Sequence, residues 1–463
     1  MKSLSTNPRV LLCTTYQRFP ADYFDVADEG ICDFPKISTP RRFSPGLRFI
    51  KQNVPEVEIL EFPLWNEYVA KLKEGWDVVG FSFHNIELDE IKKMADEARR
   101  QGVHELWAGN YGALDDRVPS LVDRVFVGPA EDDIAQVFGY RVPKDEIQHP
   151  AMLCNVSLAP YGLRLFTVGV LYTHFACPFK CTYCQTTVFN NECYPVNIES
   201  IERVLCYYKK LGISYVVALD ETFGAFQKST DKITELFARY GFNWWAQTRV
   251  EIALRNVDEW HKRGLRMVAI GVESMNQNTL NALNKRQKVE EVIEFTCRTS
   301  AMPYLARMLY YQLGFPNMTA DETTEDARRL SRYSYEIATV GVITPHPKTR
   351  LWDELDSTYG IIDRTNRHWN NATLVWRHPY ISPPQMKELR ETVVHMLNKP
   401  GCLRRLASRA FRPDTVASAW RNLAKPCVSS MSIDDRKQVV FPGRITKGAD
   451  KGSRTATLNI LGP

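Results

Sequence analysis

Residues 167–184 read TVGVLYTHFACPFKCTYC. The first six are an apolar run rich in β-branched side chains, the composition of a buried strand. The run passes directly into a loop that carries Cys177, Cys181 and Cys184 at the spacing C-x3-C-x2-C. Soft thiolates at this spacing suit an iron–sulfur cluster, and three protein ligands leave one iron of a four-iron cubane open to another molecule. A structural zinc site closes its fourth position with Cys or His and favours paired C-x2-C units. His174 as that fourth ligand would give an unusual spacing. Coincidence is the remaining alternative.

Working outward from this loop, the C-terminal side repeats a strand–helix alternation. Strands are predicted at 167–172, 215–219, 244–248, 267–272, 305–311 and 338–344. The stretch 198–211 predicts a helix with Ile201, Val204, Leu205 and Tyr208 on one stripe, Asn197 as N-cap and Gly212 as stop. A second helix is predicted at 230–240, before Gly241. Six β/α units in sequence predict a partial (β/α)6 TIM-type barrel over 166–350, with its sites at the C-terminal ends of the strands. On the N-terminal side, strands are predicted at 9–13, 57–62, 78–83, 105–108 and 125–127. The segment 86–101 reads as an amphipathic helix ending before Gly102. That alternation predicts an α/β, Rossmann-like domain over 1–135.

The Pro-punctuated stretch 136–165 reads as a linker. Residues 351–428 read as a helical and loop region with a helix at 385–397, and 429–463 as a flexible tail. Composition bounds the rest. The 463 residues are 44% hydrophobic and 24% charged, which excludes a disordered or low-complexity chain. Lys plus Arg is 59 against 54 for Asp plus Glu, too weak a balance for a nucleic-acid binder. No apolar run reaches membrane-spanning length, and MKSLSTNPR has no apolar signal region, so a cytoplasmic protein is expected. The eight cysteines outside the loop read as scattered buried hydrophobes, and Cys402 and Cys427 are too few for a second cluster.

The C-x3-C-aromatic-x-C form, with Tyr183 in the aromatic place, resembles the radical S-adenosylmethionine (SAM) superfamily over about 165–400. The resemblance implies a [4Fe-4S] cluster held by Cys177, Cys181 and Cys184. It implies SAM chelating the open iron through its amino and carboxylate groups, and an external electron donor of the flavodoxin or ferredoxin type. It implies either a 5′-deoxyadenosyl radical acting on a substrate or methyl transfer by way of cobalamin. Other segments follow the same order. Asp220-Glu221 resembles the acidic motif that receives the SAM ammonium, though Asp220 also reads as a helix N-cap. Arg249 resembles the arginine facing the SAM carboxylate, a surface arginine being the alternative. Gly271-Val272-Glu273-Ser274 resembles a strand-end G-x-E-S, with Glu273 and Ser274 as contacts to ribose and carboxylate. Residues 313–325 resemble the stretch by the adenine, with an insertion at 317–321. Residues 344–349 resemble a T-P-x-P-G-T loop, with Lys348 where glycine is usual.

An N-terminal Rossmann-like domain before such a barrel resembles the cobalamin-binding subfamily. Ala108-Gly109-Asn110 and Val127-Gly128-Pro129-Ala130-Glu131 stand at its two glycine turns. The D-x-H-x-x-G motif that ligates cobalt is missing; residues 14–20 read TTYQRFP instead. The resemblance therefore implies cobalamin without a His ligand of that kind, or a degenerate domain that only covers the barrel. His84, at the end of a strand, faces the expected ligand edge or is a satisfied polar residue. The expected function is a radical SAM enzyme, with cobalamin-assisted methylation of an unactivated carbon in a small-molecule or peptide substrate. The alternatives are a cobalamin-independent rearrangement, cyclisation or oxidation, and a non-catalytic zinc-binding α/β module.

Overall fold

In the computed structural model of the chain, residues 7–17, 37–38, 43–158, 163–411 and 438–442 are described. Cys32, Cys427, residues 18–20 of the first loop and most of 429–463 lie outside them. The strands are, in chain order, β1 (Val10–Thr14), β2 (Ile37–Ser38), β3 (Glu58–Leu60), β4 (Val78–Ser82), β5 (Glu105–Gly109), β6 (Arg124–Val125), β7 (Leu153–Leu158), β8 (Leu163–Leu171), β9 (His174–Phe175), β10 (Tyr194–Pro195), β11 (Tyr215–Ala218), β12 (Asn243–Thr248), β13 (Leu265–Glu273), β14 (Ala306–Leu313) and β15 (Ile337–Val342).

The N-terminal sheet is parallel in the order β3-β1-β4-β5-β6. With its five strands counted in chain order this is 2-1-3-4-5, a doubly wound arrangement whose ligand crevice lies beyond the carboxyl ends of β1 and β4. The helix Leu88–Arg100 covers one face, burying Leu88, Ile91, Met94, Ala95 and Ala98. Each large side chain so buried contributes about 1.5–3 kcal/mol. Asp89 and Glu90 in its first turn and Arg99 and Arg100 in its last complement the helix dipole.

The second sheet has the order β15-β14-β13-β12-β11-β8-β7-β2. Its six strands from β8 to β15, β9 and β10 aside, are parallel, as the sequence predicts for a partial barrel. Alternation sorts their side chains. Trp244 packs outward against Phe223, Phe237 and Trp260, so Trp245 and Gln247 face the concave side. There the Tyr310 hydroxyl donates to Gln247 Oε1 at 3.4 Å, and Gln312 Oε1 has no partner. The lumen is therefore partly polar.

Two expectations need correction. The stretch 136–165 is not a plain linker, because β7 pairs antiparallel with β8 and extends the barrel sheet. His149 within it is fully buried and locks the junction: its Nδ1 meets Pro150 O at 2.6 Å and its Nε2 accepts from Tyr172 N at 2.9 Å. Burial pushes its pKa down to about 3, so the ring stays neutral. Pro residues had masked a strand whose partner is in the barrel. Part of the expected flexible tail is also placed. Val439 bridges to Ala151, and the Phe441 backbone exchanges bonds with Gln52 at 2.8 and 2.9 Å.

Candidate active site at the barrel mouth

The three-cysteine loop leaves β8 and is pinned at its start by Asp220. The fully buried Asp220 carboxylate accepts from Thr173 N at 2.5 Å, Thr173 Oγ1 at 2.7 Å and His174 N at 3.1 Å. Expected as a SAM contact, this side chain instead ties the end of β11 to the loop. The short pair of β9 and β10 holds the loop's other side. Between them Ala176 takes φ 63, the left-handed region, immediately before Cys177.

Cys177 Sγ lies 3.2 Å from Thr222 Oγ1, and Cys181 Sγ lies 3.9 Å from Arg249 Nη1. Burial pushes the Cys184 thiol up to about 11. It also raises Cys181, against the pull of Lys285 and Arg249. Cys181 interacts electrostatically with Cys177, and Cys184 with Cys181, so the loop brings the three thiols into one neighbourhood. Among the described residues no three His, Cys, Asp or Glu side chains converge closely enough to hold a single ion. The donor set, three soft thiols beside two buried cations, fits an anionic iron–sulfur cluster.

Arg249 is 4% exposed, which removes the surface-arginine alternative. It pairs with Glu251, donates to Lys285 O and stacks 4.1 Å over the Phe179 ring. Glu273 ends β13 with φ 62, past a register shift that turns its side chain inward. Its Oε1 accepts from Tyr183 OH at 3.0 Å and Lys285 Nζ at 2.7 Å, while Oε2 is buried without a partner. Gly271 leaves room for this, since a Cβ there would stand 2.6 Å from Glu273 Oε1. Ser274 is turned elsewhere: its hydroxyl donates to Asp326 Oδ2 at 2.9 Å, which Tyr311 OH also reaches at 2.7 Å. Lys348, in the left-handed region at φ 68 where glycine is at ease, pairs with Asp116 of the N-terminal domain.

Between the barrel mouth and the N-terminal sheet lies a cleft of about 550 Å³. Thr14, Ser82 and Gly109, the carboxyl ends of β1, β4 and β5, line one side; His174, Thr186 and Glu221 of the barrel line the other. His84 faces this cleft. A Cβ on Gly109 would meet nothing within 4 Å, and Gly128 sits at φ 95. Glu131, also on the cleft, is 3% exposed with Oε2 unpartnered, and burial pushes its carboxyl up to about 7. An open glycine and an orphaned polar atom fit a bound group held by its edges. Asn366 of the C-terminal region closes the assembly, donating to Asn85 O at 2.8 Å and Asp115 Oδ2 at 3.2 Å.

Glu221, the second acidic residue, opens onto the cleft and accepts from Tyr111 OH at 3.1 Å. His174 stood out in the sequence only as a possible zinc ligand, and Tyr111 not at all; Tyr111 is 110 positions from Glu221, and only the fold joins them. Lys285 had a local signal, the Asn284-Lys285 pair after the strand-end G-x-E-S.

Residues 171–330 match the model of the radical SAM superfamily. They are a radical SAM domain, for which a [4Fe-4S] cluster and SAM are the defining cofactors. Over most of its length the chain is similar in fold to enzymes solved with cobalamin bound. The radical SAM methyltransferase TsrM of Kitasatospora setae, solved with cobalamin and a [4Fe-4S] cluster, gives a TM-score of 0.58 at 13% identity, covering 76% of this chain and 78% of that one. OxsB, solved with aquacobalamin and SAM, gives 0.55 at 13% identity, covering 87% and 70%. Among curated proteins, an uncharacterised methyltransferase, PH0819, of Pyrococcus horikoshii is 24% identical over 241 residues, 51% of this chain and 52% of that protein. The chain thus spans about half the length of that relative. The bacteriochlorophyllide d C-8(2)-methyltransferase of Chlorobaculum tepidum is 23% identical over 316 residues, 60% and 68% of the two chains. No described helix is long and apolar enough to cross a membrane.

Proposed function

We propose that this chain is a cobalamin-assisted radical SAM methyltransferase acting on an unactivated carbon of a small-molecule or peptide substrate, with an external reductant of the flavodoxin or ferredoxin type. One observation carries the reading: the carboxyl edge of the N-terminal sheet lines one side of the cleft, and His174, Phe175 and Ala176, which lead into the thiol loop, line the other with Glu221. A group held at the first edge is thereby presented to whatever binds at the second. When bound, the cluster supplies an electron to the SAM sulfonium and the corrin carries the methyl group.

The chain's own side chains do the holding. Cys177, Cys181 and Cys184 are the cluster ligands. Glu221 offers a carboxylate to the SAM ammonium. Arg249 and Lys285 surround Cys181 with positive charge and balance the anionic cluster. The free Oε2 of Glu273, beside Tyr183, accepts a ribose hydroxyl. Asp220 and Ser274 act one step back, by fixing the loop and the end of β13. On the N-terminal side, Gly109, Gly128 and Glu131 receive the corrin.

The test is anaerobic reconstitution of the full chain with iron, sulfide and cobalamin. The reading expects iron and sulfide near parity, corrinoid retained through gel filtration, and SAM altering the electron paramagnetic resonance (EPR) spectrum of the reduced cluster. Protein that binds the cluster and SAM but no corrinoid would leave a radical SAM enzyme without methyl transfer. Protein that binds zinc alone would sink the reading entirely.

A further inference from the structure

The turn after β5 is built to carry one side chain across the cleft. Asn110 stands at φ 70, and its Oδ1 accepts from Tyr111 N at 2.8 Å. Gly112 N donates to Phe83 O at 2.9 Å, and a Cβ on Gly112 would lie 2.3 Å from the Phe83 ring, so this position admits only glycine. Together they set Tyr111 against the barrel. Its ring lies nearly parallel to His84 at 6.0 Å and 15°, and packs on Phe189 of the barrel at 4.9 Å. Its phenol lies 3.1 Å from Glu221 Oε1 and 3.3 Å from Thr186 Oγ1. Thr186 opens the short helix Thr186–Phe189, two residues past Cys184. One N-terminal side chain therefore touches the carboxylate offered to SAM, the neighbourhood of the third thiol and the wall of the cleft.

We propose that Tyr111 is a positioning residue that couples the two cofactor sites: its phenol orients Glu221 toward the SAM ammonium while its ring walls the N-terminal cleft. This rests on the proposed function. A carboxylate held by a neutral donor is pre-aimed without losing its charge. A group that fills the cleft presses on the Tyr111 ring, holds the phenol on Glu221 and tightens SAM. Linkage requires that SAM tighten that group by the same factor.

The experiment titrates SAM into the reconstituted, reduced full chain, with and without cobalamin, and reads the cluster's EPR spectrum. For the wild type, cobalamin is expected to lower the SAM half-saturation several-fold. Tyr111→Phe keeps the ring contacts and removes only the hydroxyl. It is expected to retain the same iron and the same SAM-free spectrum, to raise the half-saturation about tenfold, or about 1.4 kcal/mol, and to lose most of the cobalamin effect. Glu221→Gln should weaken SAM as well, and the double variant should be no worse than Glu221→Gln alone. An unchanged titration for Tyr111→Phe, an additive double variant or a wild type indifferent to cobalamin each overturns the inference. Should Tyr111→Phe lose iron, Glu221→Gln alone decides: the cobalamin effect vanishing supports the link, its persistence overturns it. A wild-type cluster that ignores SAM overturns the proposed function itself, which is a separate result.

Discussion

The two sheets present their carboxyl edges to the same cleft with opposite chemistry. The N-terminal edge is shaped mainly by small and apolar groups: Gly109 leaves its backbone open, Gly80 and Gly128 line the cleft beside it, and Leu12, Phe81 and Trp107 wall it. The barrel edge is built from thiols, a buried carboxylate pinning a loop, and two buried cations beside Cys181. A flat, largely apolar group needs room and van der Waals contact; a charged cluster and a zwitterion need counter-charges. At the opposite, N-terminal end of its strands the barrel spends its charges on stability. Arg307 pairs there with Glu336 at 2.8 Å, both side chains 3% exposed or less.

The largest effect expected is on the barrel edge alone. Cys181→Ala should reduce bound iron to background and abolish SAM cleavage, while far-ultraviolet circular dichroism and corrinoid retention stay as in the wild type. Loss of corrinoid together with iron would show that the edges are not separate in their chemistry.

Next in size is the stability end of the barrel. Arg307→Met leaves the buried Glu336 carboxylate only Arg409 at 3.3 Å and the backbone N–H of residue 307, and should cost about 1.5–3 kcal/mol in urea unfolding. A cost below about 1 kcal/mol would mean that this pair is not what holds the base of β14.

The N-terminal edge is sharpened by pH. The Glu131 carboxyl is raised from 4.5 to about 7 by burial, so its protonated form is the one the fold favours. That contribution is fully present below the ordinary carboxylate range and is lost as pH rises through about 7. Glu131→Gln removes the dependence. Relative to the variant, the wild type should lose roughly 2–3 kcal/mol between about pH 5 and about pH 8. Parallel stability–pH curves would remove Glu131 as a buried acid.

The smallest effect tests backbone strain at the thiol loop. Ala176→Gly relieves a left-handed alanine and should stabilise by up to about 1–2 kcal/mol, offset by the added chain entropy of glycine. Thermal unfolding of the reconstituted protein reads it, and a fall in midpoint would show that Ala176 earns its place by packing.

Much of this was legible residue by residue. Cys177, Cys181 and Cys184 pointed to soft-metal ligation through spacing alone, and the strand periods placed their loop at a barrel mouth. Arg249 and Glu273 stood at strand ends, where sites of this fold occur. Less legible were residues whose role depends on a distant partner. Asp220 read as a ligand contact and proved to hold Thr173 and His174. Ser274 proved to serve Asp326. The stretch before β8 read as a linker because its antiparallel partner lies beyond any local pattern.

The sequence by itself determined the two α/β units, where their strands fall along the chain and the spacing of the three-cysteine loop, since period, turn chemistry and ligand spacing act over a few neighbouring residues. Only the tertiary structure decided that the two sheets share one cleft, that Tyr111 reaches Glu221, and which acidic and hydroxyl groups remain open to a ligand. Those outcomes are set by which buried polar atoms find partners when distant segments pack, and no local pattern encodes that competition.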